Sequence, residues 1–313
     1  MTQIIAELCQ NHLGIRSVLD EMVAAAAESG ADFAKIQSMK VSNLVFRRRF
    51  EKGLIEGGKT LVIKRPFNKE YNRLKKLDLS DEDHFYFIER CNKYGIKPLT
   101  TIFTKERLKF IESLNLKTIK ISSFDCSSFG FLSDISKSKK IKNVILSTGA
   151  TYNTEILQAK KILRNKNLTL LHCISVYPTP LELANLNRIN FLKKINKSVG
   201  LSDHSNFNKS GHKIATVGLD LGIDTIERHF TILKKDMTKD GVVSVNFKEL
   251  SELVKIVKKN KKIQVSKKER KIILGNENRE LTGPELLNRD YYVGRFASFK
   301  NKKPIFNWEY KKI

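Results

Sequence analysis

The amino-acid sequence predicts an α/β protein, a (β/α)8 TIM barrel with a short C-terminal extension. Short β-branched or apolar runs alternate with amphipathic stretches of helical period along most of the 313 residues. Eight such runs fit a parallel sheet closed on itself. The glycine-rich βα turns usual in open doubly wound sheets, GxGxxG and GxxxxGK(S/T), are absent.

The runs are IIAELC (4–9), FAKIQ (33–37), KPLTTIF (97–103), TIKIS (118–122), NVILST (143–148), LTLLHC (168–173), SVGLSDH (198–204) and TIERHF (225–230). Helical stretches between and after them include SVLDEMVAAAAESG, DEDHFYFIERCNKYG, KERLKFIESLN, NTEILQAKKILRN and FKELSELVKIVKK. Gly30, Gly95, Asn115 and Asn165 stand where several of these should stop. Two segments break the alternation. Residues 38–80 form a long insertion after the second run, carrying Arg47, Arg48, Arg49 and the GLIEGGK turn; a connection of that length reads as a lid or substrate loop. Beyond about residue 263 the alternation ends, which divides the chain into a barrel, 1–265, and a linker with a truncated C-terminal extension, 266–313. That tail holds the single Trp, is too short to fold alone, and must dock on something.

Composition narrows the function classes. No run approaches the length of a membrane span, and the start, MTQIIAELCQ, reads as a first strand and not as a signal peptide, so the expected location is cytoplasmic. Cys9, Cys91, Cys126 and Cys173 lie far apart without CxxC spacing, as buried, inert thiols would. The formal net charge of +25 invites a nucleic-acid reading. Lysine is scattered over nearly every segment instead of gathering on one aromatic-studded face, which disfavours it; a basic shell still steers anions toward the protein.

In barrels of this kind chemistry sits where strands enter their βα loops. Strand ends here carry Glu7, Lys35, Gln37, Thr101, Lys120, Ser122, Ser123, Ser147, His172, Ser202, Asp203, His204, Glu227 and His229. Buried charges without partners are costly, so this set converges on a ligand. His204 and His229 close neighbouring strands. They are either hydrogen-bonded core histidines or, favoured by their meeting at strand ends beside Asp203 and Glu227, ligands of a divalent metal. Lys35 and Lys120 need anionic partners, and Ser123, Ser147 and Ser202 can add hydroxyl donors, which together suit a phosphate-like anion. Each serine alone reads equally as a helix cap. His12 and His172 stay open, whereas His84 and His212 read as surface or capping residues of helices.

The motifs IIAELCQNHLG, ADFAKIQ, KKLDLSDEDH, TIKISSFD, VILSTGATYNTEI, LLHCISVYPTPLELANL, VGLSDHS and GIDTIERHFTILKKDMTKDG follow one another from about residue 3 to 255. In that order and spacing the chain resembles the N-acetylneuraminate (sialic acid) synthase family. The resemblance implies condensation of phosphoenolpyruvate with an N-acylated amino sugar and release of phosphate, in a homodimeric enzyme. It implies that His204 and His229 hold Mn2+ or Mg2+, and that Lys35, Lys120, Ser123, Ser147 and Ser202 hold phosphoenolpyruvate. Ser175 and Tyr177 then border both substrates, and Glu7, Gln37, Glu227 and Asp240 surround the sugar and the attacking water, with Glu7 or Asp125 as general base.

Some positions depart from the pattern. Asp125 stands where some members carry Glu, Ser175 where some have Asn, and MTKDG lacks the proline found before the acid matched by Asp240. The family's antifreeze-protein-like domain offers an arginine to the sugar's acyl group, and RDYYVGRFASFKNKKPIFNWEYKKI resembles at most its start. Arg295 and the Arg47–Arg49 cluster are the candidates to replace it. A related 3-deoxy-keto-acid synthase and a catalytically silent sugar-binding homologue are the alternatives.

Overall fold

The computed structural model describes residues 2–259 and 263–311. Eight parallel strands close into a barrel: β1 (Gln3–Cys9), β2 (Phe33–Ser38), β3 (Lys97–Ile102), β4 (Thr118–Ile121), β5 (Asn143–Ser147), β6 (Asn167–His172), β7 (Ser198–Asp203) and β8 (Thr225–His229). Each pairs with the next in sequence, and β8 returns to β1. All eight predicted runs are therefore the barrel staves.

The strands alternate between two environments, as a period of two requires. Ile4, Ala6 and Leu8, or Ala34 and Ile36, face outward into a large core shared with the surrounding helices. Ile5, Phe33, Leu99, Ile145 and Leu171 face inward and meet in a separate apolar layer across the barrel axis. Two residues further along their strands stand Glu7, Lys35, Thr101, Ser147 and Cys173, so a polar layer lies on top of the apolar one. Gly200 leaves room for the inner layer, because a Cβ there would come within 2.6 Å of Leu171 Cδ2.

Helix ends follow local rules. Asp81–Tyr94 begins with a reciprocal Ser80/Asp83 capping box and stops at left-handed Gly95. Gly30 and Asn115 also adopt positive φ at their helix ends, as their positions suggest.

The two irregular segments pack together over the C-terminal mouth. The insertion folds as short helices (Arg49–Lys52 and Phe67–Lys75) around a hairpin of Leu54–Glu56 and Lys59–Val62. The tail forms helices Lys267–Leu274 and Gly283–Tyr292 and a hairpin of Ala297–Lys300 with Lys303–Phe306. Met39, Leu44, Leu74 and Phe296 make one apolar contact between them, and Phe50, Val62 and Tyr291 another. An antiparallel bridge joins Leu44 to Phe296. The tail is thus a folded wall of the barrel mouth, tied down by Asn307, whose amide donates to the Phe103 carbonyl at 2.8 Å.

Candidate active site

A cavity of about 330 Å3 opens at the C-terminal mouth. Its floor is built by strand register: Lys35 lies opposite Glu7, Glu7 opposite His229, Glu227 opposite Ser202, Gln37 opposite Thr101, and Thr101 opposite Lys120. Backbone pairing thus brings together most of the residues picked from the strand ends.

Two lysines and two glutamates form one buried network on this floor. Lys35 ion-pairs with Glu7, donates to Thr101 Oγ1 at 3.0 Å and approaches Glu227 at 3.5 Å. Lys120 donates to both Glu227 oxygens, at 2.8 and 3.0 Å, and Ser202 Oγ donates to Glu227 Oε1 at 2.7 Å. Burial works against the ionised Glu227, but the ammonium groups of Lys120 and Lys35 hold its carboxyl well below the usual range. Burial also brings the Lys35 ammonium down to about 7; the Lys120 charge adds to that effect and Glu227 opposes it. The four charges cancel, so a multiply charged anion settles here most readily when a further cation is present.

The imidazoles lie above this network. His204 Nδ1 is 2.9 Å from the Ile174 carbonyl, which can only accept, so Nδ1 carries the proton. Its Nε2 faces Ser202 Oγ at 3.1 Å, but the one hydroxyl proton of Ser202 is directed at Glu227. Tyr177 stacks on the His204 ring with centroids 4.3 Å apart, and the His229 ring lies 5.4 Å from it. Burial pushes both histidines toward the neutral form, His229 to about 3. His229 Nδ1 is buried with no partner among the described residues. Beside it, ligand atoms of Cys9, His229 and Asp240 all lie within 4.8 Å of one another. The unpartnered His229 nitrogen beside a carboxylate fits a divalent cation, whereas His204 Nε2 has the Tyr177 hydroxyl 3.4 Å away. The donor cluster centres on His229 with Cys9 and Asp240, and His204 faces it from the next strand.

Glu7, Lys35, Gln37, Lys120, Ser123, Ser147, Tyr177, Ser202, His204, Glu227, His229 and Asp240 all line the cavity. Two of the residues picked from the sequence do not. Asp125 turns away: its oxygens accept from Ser122, Ser128 and Asn307 at 2.9, 3.0 and 2.8 Å, so it braces the turn after β4 and the tail. Ser175 is buried, and its carbonyl accepts from Asn288 at 2.8 Å.

Several other expectations are corrected. Asp203, placed beside the metal from the sequence, pairs outward with Arg228 at 2.8 Å. His84 and His212 are buried, not at the surface; His212 does stand at the N-cap of the helix Lys213–Asp220, as the capping alternative had it, and His84 packs edge-on against Phe110. His12 and His172 are buried outside the cavity; His12 Nδ1 accepts from the Gly14 amide and His172 Nε2 bonds the Ala184 carbonyl. Arg47 and Arg49 tie the insertion to the tail, Arg47 through the Tyr291 and Val293 carbonyls and Arg49 through Asp290. Arg295 does reach the cavity wall, where it pairs with Glu70, as Arg73 does at 2.8 Å. Sequence reasoning missed Cys9, Arg73, Asn288 and Tyr292 as cavity residues. Of these only Cys9 left a signal, as the next inward position after Ile5 and Glu7.

A closed barrel with a charged floor and paired imidazoles at its C-terminal mouth has the layout of barrel enzymes. The NeuB family model matches residues 22–269. The chain is 32% identical over 311 residues to the pseudaminic acid synthase of Campylobacter jejuni subsp. jejuni serotype O:23/36, covering 98% of this chain and 84% of that protein. It is 34% identical over 260 residues to the N,N'-diacetyllegionaminic acid synthase of C. jejuni serotype O:2, covering 80% and 74%. Among solved structures, an N-acetylneuraminic acid (sialic acid) synthetase from Leptospira borgpetersenii serovar Hardjo-bovis, in complex with citrate, superposes with a TM-score of 0.70. That match has 27% identity and covers 93% of this chain and 90% of the other. The chain belongs to the NeuB family.

Proposed function

We propose that this protein condenses phosphoenolpyruvate with an N-acylated amino sugar, N-acetylmannosamine or a dideoxy-diacetamido hexose, to give a nonulosonic acid and inorganic phosphate. The observation that carries this reading is one cavity with an anion-binding floor of Lys35, Lys120 and Ser202 beneath the imidazoles of His204 and His229. The named activities of the pseudaminic and legionaminic acid synthases agree with that product class.

In this reading Lys35 and Lys120 bind the phosphate and carboxylate of phosphoenolpyruvate, Ser123 and Ser147 donate hydroxyl hydrogen bonds to it, and Ser202 joins them by turning its proton from Glu227 to the anion. A divalent ion, Mn2+ or Mg2+, held by His204 and His229 supplies Lewis-acid polarisation of the sugar's aldehyde oxygen when bound. Glu7 faces the cavity ion-paired to Lys35 and is the group that accepts the proton of the attacking water. Gln37, Tyr177, Glu227 and Asp240 orient the sugar, and Ser175 positions the loop that carries Tyr177. Asp125, engaged on the far side of its turn, takes no part. The tail excludes water from the mouth and places Arg295 on the cavity wall, with Arg65 and Arg73, to meet the sugar. Homodimeric assembly and a cytoplasmic location belong to the same reading. No helix among the described residues is long and apolar enough to cross a membrane.

Phosphate release, measured with phosphoenolpyruvate, a panel of N-acyl hexosamines and added divalent ions, tests the proposal. Release with one sugar that stops on chelation supports it; no release with any sugar overturns it. His204→Ala should abolish turnover with the fold retained by circular dichroism, and a fully active variant would refute the assignment of His204.

A further inference from the structure

Cys9 continues the inward series Ile5, Glu7, Cys9 along β1, one rung above the charged floor. The β1–β2 register shifts between Glu7 and Cys9, a local irregularity of the kind that re-aims a side chain. Cys9 adopts φ of 51°, a left-handed conformation that a non-glycine residue takes only when its surroundings hold it there. Held so, the thiol lies 2.8 Å from Asp240 Oδ2 and accepts from Gln37 Nε2 at 3.1 Å. The remaining member of the group is His229, whose buried Nδ1 has no partner among the described residues. A carboxylate, an imidazole and a sulfur thus bring ligand atoms within 4.8 Å of one another. The thiol proton lies between Cys9 and Asp240, and a cation that displaces it gains both the sulfur and the carboxylate.

We propose that Cys9 gives the divalent-ion site a sulfur ligand, with His229 and Asp240, so that the site favours a borderline ion such as Zn2+ or Co2+ over Mg2+. This deepens the metal-assisted reading above and rests on it. Cys9, His229 and Asp240 supply S, N and O donors beside His204, the ligand already assigned on β7, and a further coordination position stays open for a substrate oxygen. Thiolate sulfur is a poor ligand for Mg2+ and a good one for Zn2+, so the sulfur sets the preference.

The full chain, stripped of metal with a chelator and titrated with Co2+ alone, provides the first test. The wild type should develop a thiolate-to-cobalt charge-transfer band in the near ultraviolet. Cys9→Ser should lose that band, whereas Cys91→Ser, altered at a buried thiol remote from the site, should keep it. In equilibrium titrations Cys9→Ser should lose roughly tenfold or more in Zn2+ affinity, with little change for Mg2+. X-ray absorption of the Zn2+-loaded wild type needs no variant and should show one sulfur at about 2.3 Å. Only nitrogen and oxygen neighbours, a band that survives in Cys9→Ser, or no Co2+ binding at all would overturn the proposal. Metal-dependent phosphate release that persists in any of those cases leaves the synthase reading standing and removes the sulfur ligand alone.

Discussion

The floor of the cavity and its wall are held in place by different means. Floor residues sit on rungs of a closed sheet, where backbone register sets Glu7 opposite Lys35, Gln37 opposite Thr101 and Thr101 opposite Lys120. A slip of one residue would turn any of these strands inside out. The wall is held by side chains reaching across the molecule, as Arg295 does to Glu70, 225 residues away in sequence. The chemistry that every substrate of the class needs therefore rests on the rigid part. The part facing the variable sugar rests on contacts that can be changed one at a time.

Breaking the floor should have the largest effect. Lys120→Met leaves Glu227 short of its main partner; we expect phosphate release to fall about 10²–10³-fold. Stability should fall by about 3–5 kcal/mol, read from the urea midpoint, because a buried charge loses its counter-charge. The floor also titrates. With the Lys35 ammonium brought down to about 7, its charged fraction falls as pH rises past that value. The KM for phosphoenolpyruvate should then climb by up to about tenfold per pH unit between pH 7 and 9. A flat profile would show that Lys35 does not meet the anion.

The wall should respond more mildly and differently. Glu70→Gln removes the carboxylate shared by Arg73 and Arg295; we expect the KM for the sugar to rise roughly tenfold with kcat little changed. Burial opposes the ionised Glu70, yet Arg73 and Arg295 hold its carboxyl at about 2 against an ordinary 4.5. A depressed carboxylate stabilises above the ordinary value and loses that contribution as pH falls through the folded one. Tail docking, followed by proteolysis of the hairpin, should persist to about pH 4.5 and loosen toward pH 2. The smallest effect belongs to Arg49→Ala, whose partner Asp290 sits at a largely exposed ion pair; less than about 1 kcal/mol is expected. A larger loss there would mean that the wall is as tightly held as the floor.

The same contrast explains what the sequence made legible. The staves and floor could be read because inward positions recur every second residue, so Lys35 and Gln37, or Ser202 and His204, announce themselves by spacing. Asp125 was offered, as the alternative to Glu7, only by the resemblance. Its spacing of three from both Ser122 and Ser128 marks a hydrogen-bonded turn, which is what forms. His84 and His212 lie in polar helical stretches, and their burial against Phe110 and Phe207 depends on rings that only the tertiary fold brings near. Arg73, Asn288 and Tyr292 could not be found from local pattern, because the insertion and the tail acquire their places only from each other. Cys9 was read as one more inert thiol. It is buried, as that reading expected, and its contact with Asp240, 231 residues on, is what sequence position alone does not show.

The layer of Ile5, Phe33, Leu99, Ile145 and Leu171 has a consequence for traffic. It plugs the barrel axis below the lysines, so among the described residues the cavity is reached from the C-terminal mouth. In the proposed reading two reactants that share the chamber therefore stand in file. The one on the lysines would then come in first and stay behind its companion until that companion has gone. Turnover order is thus written into the plumbing of the barrel, independently of which sugar waits at the door.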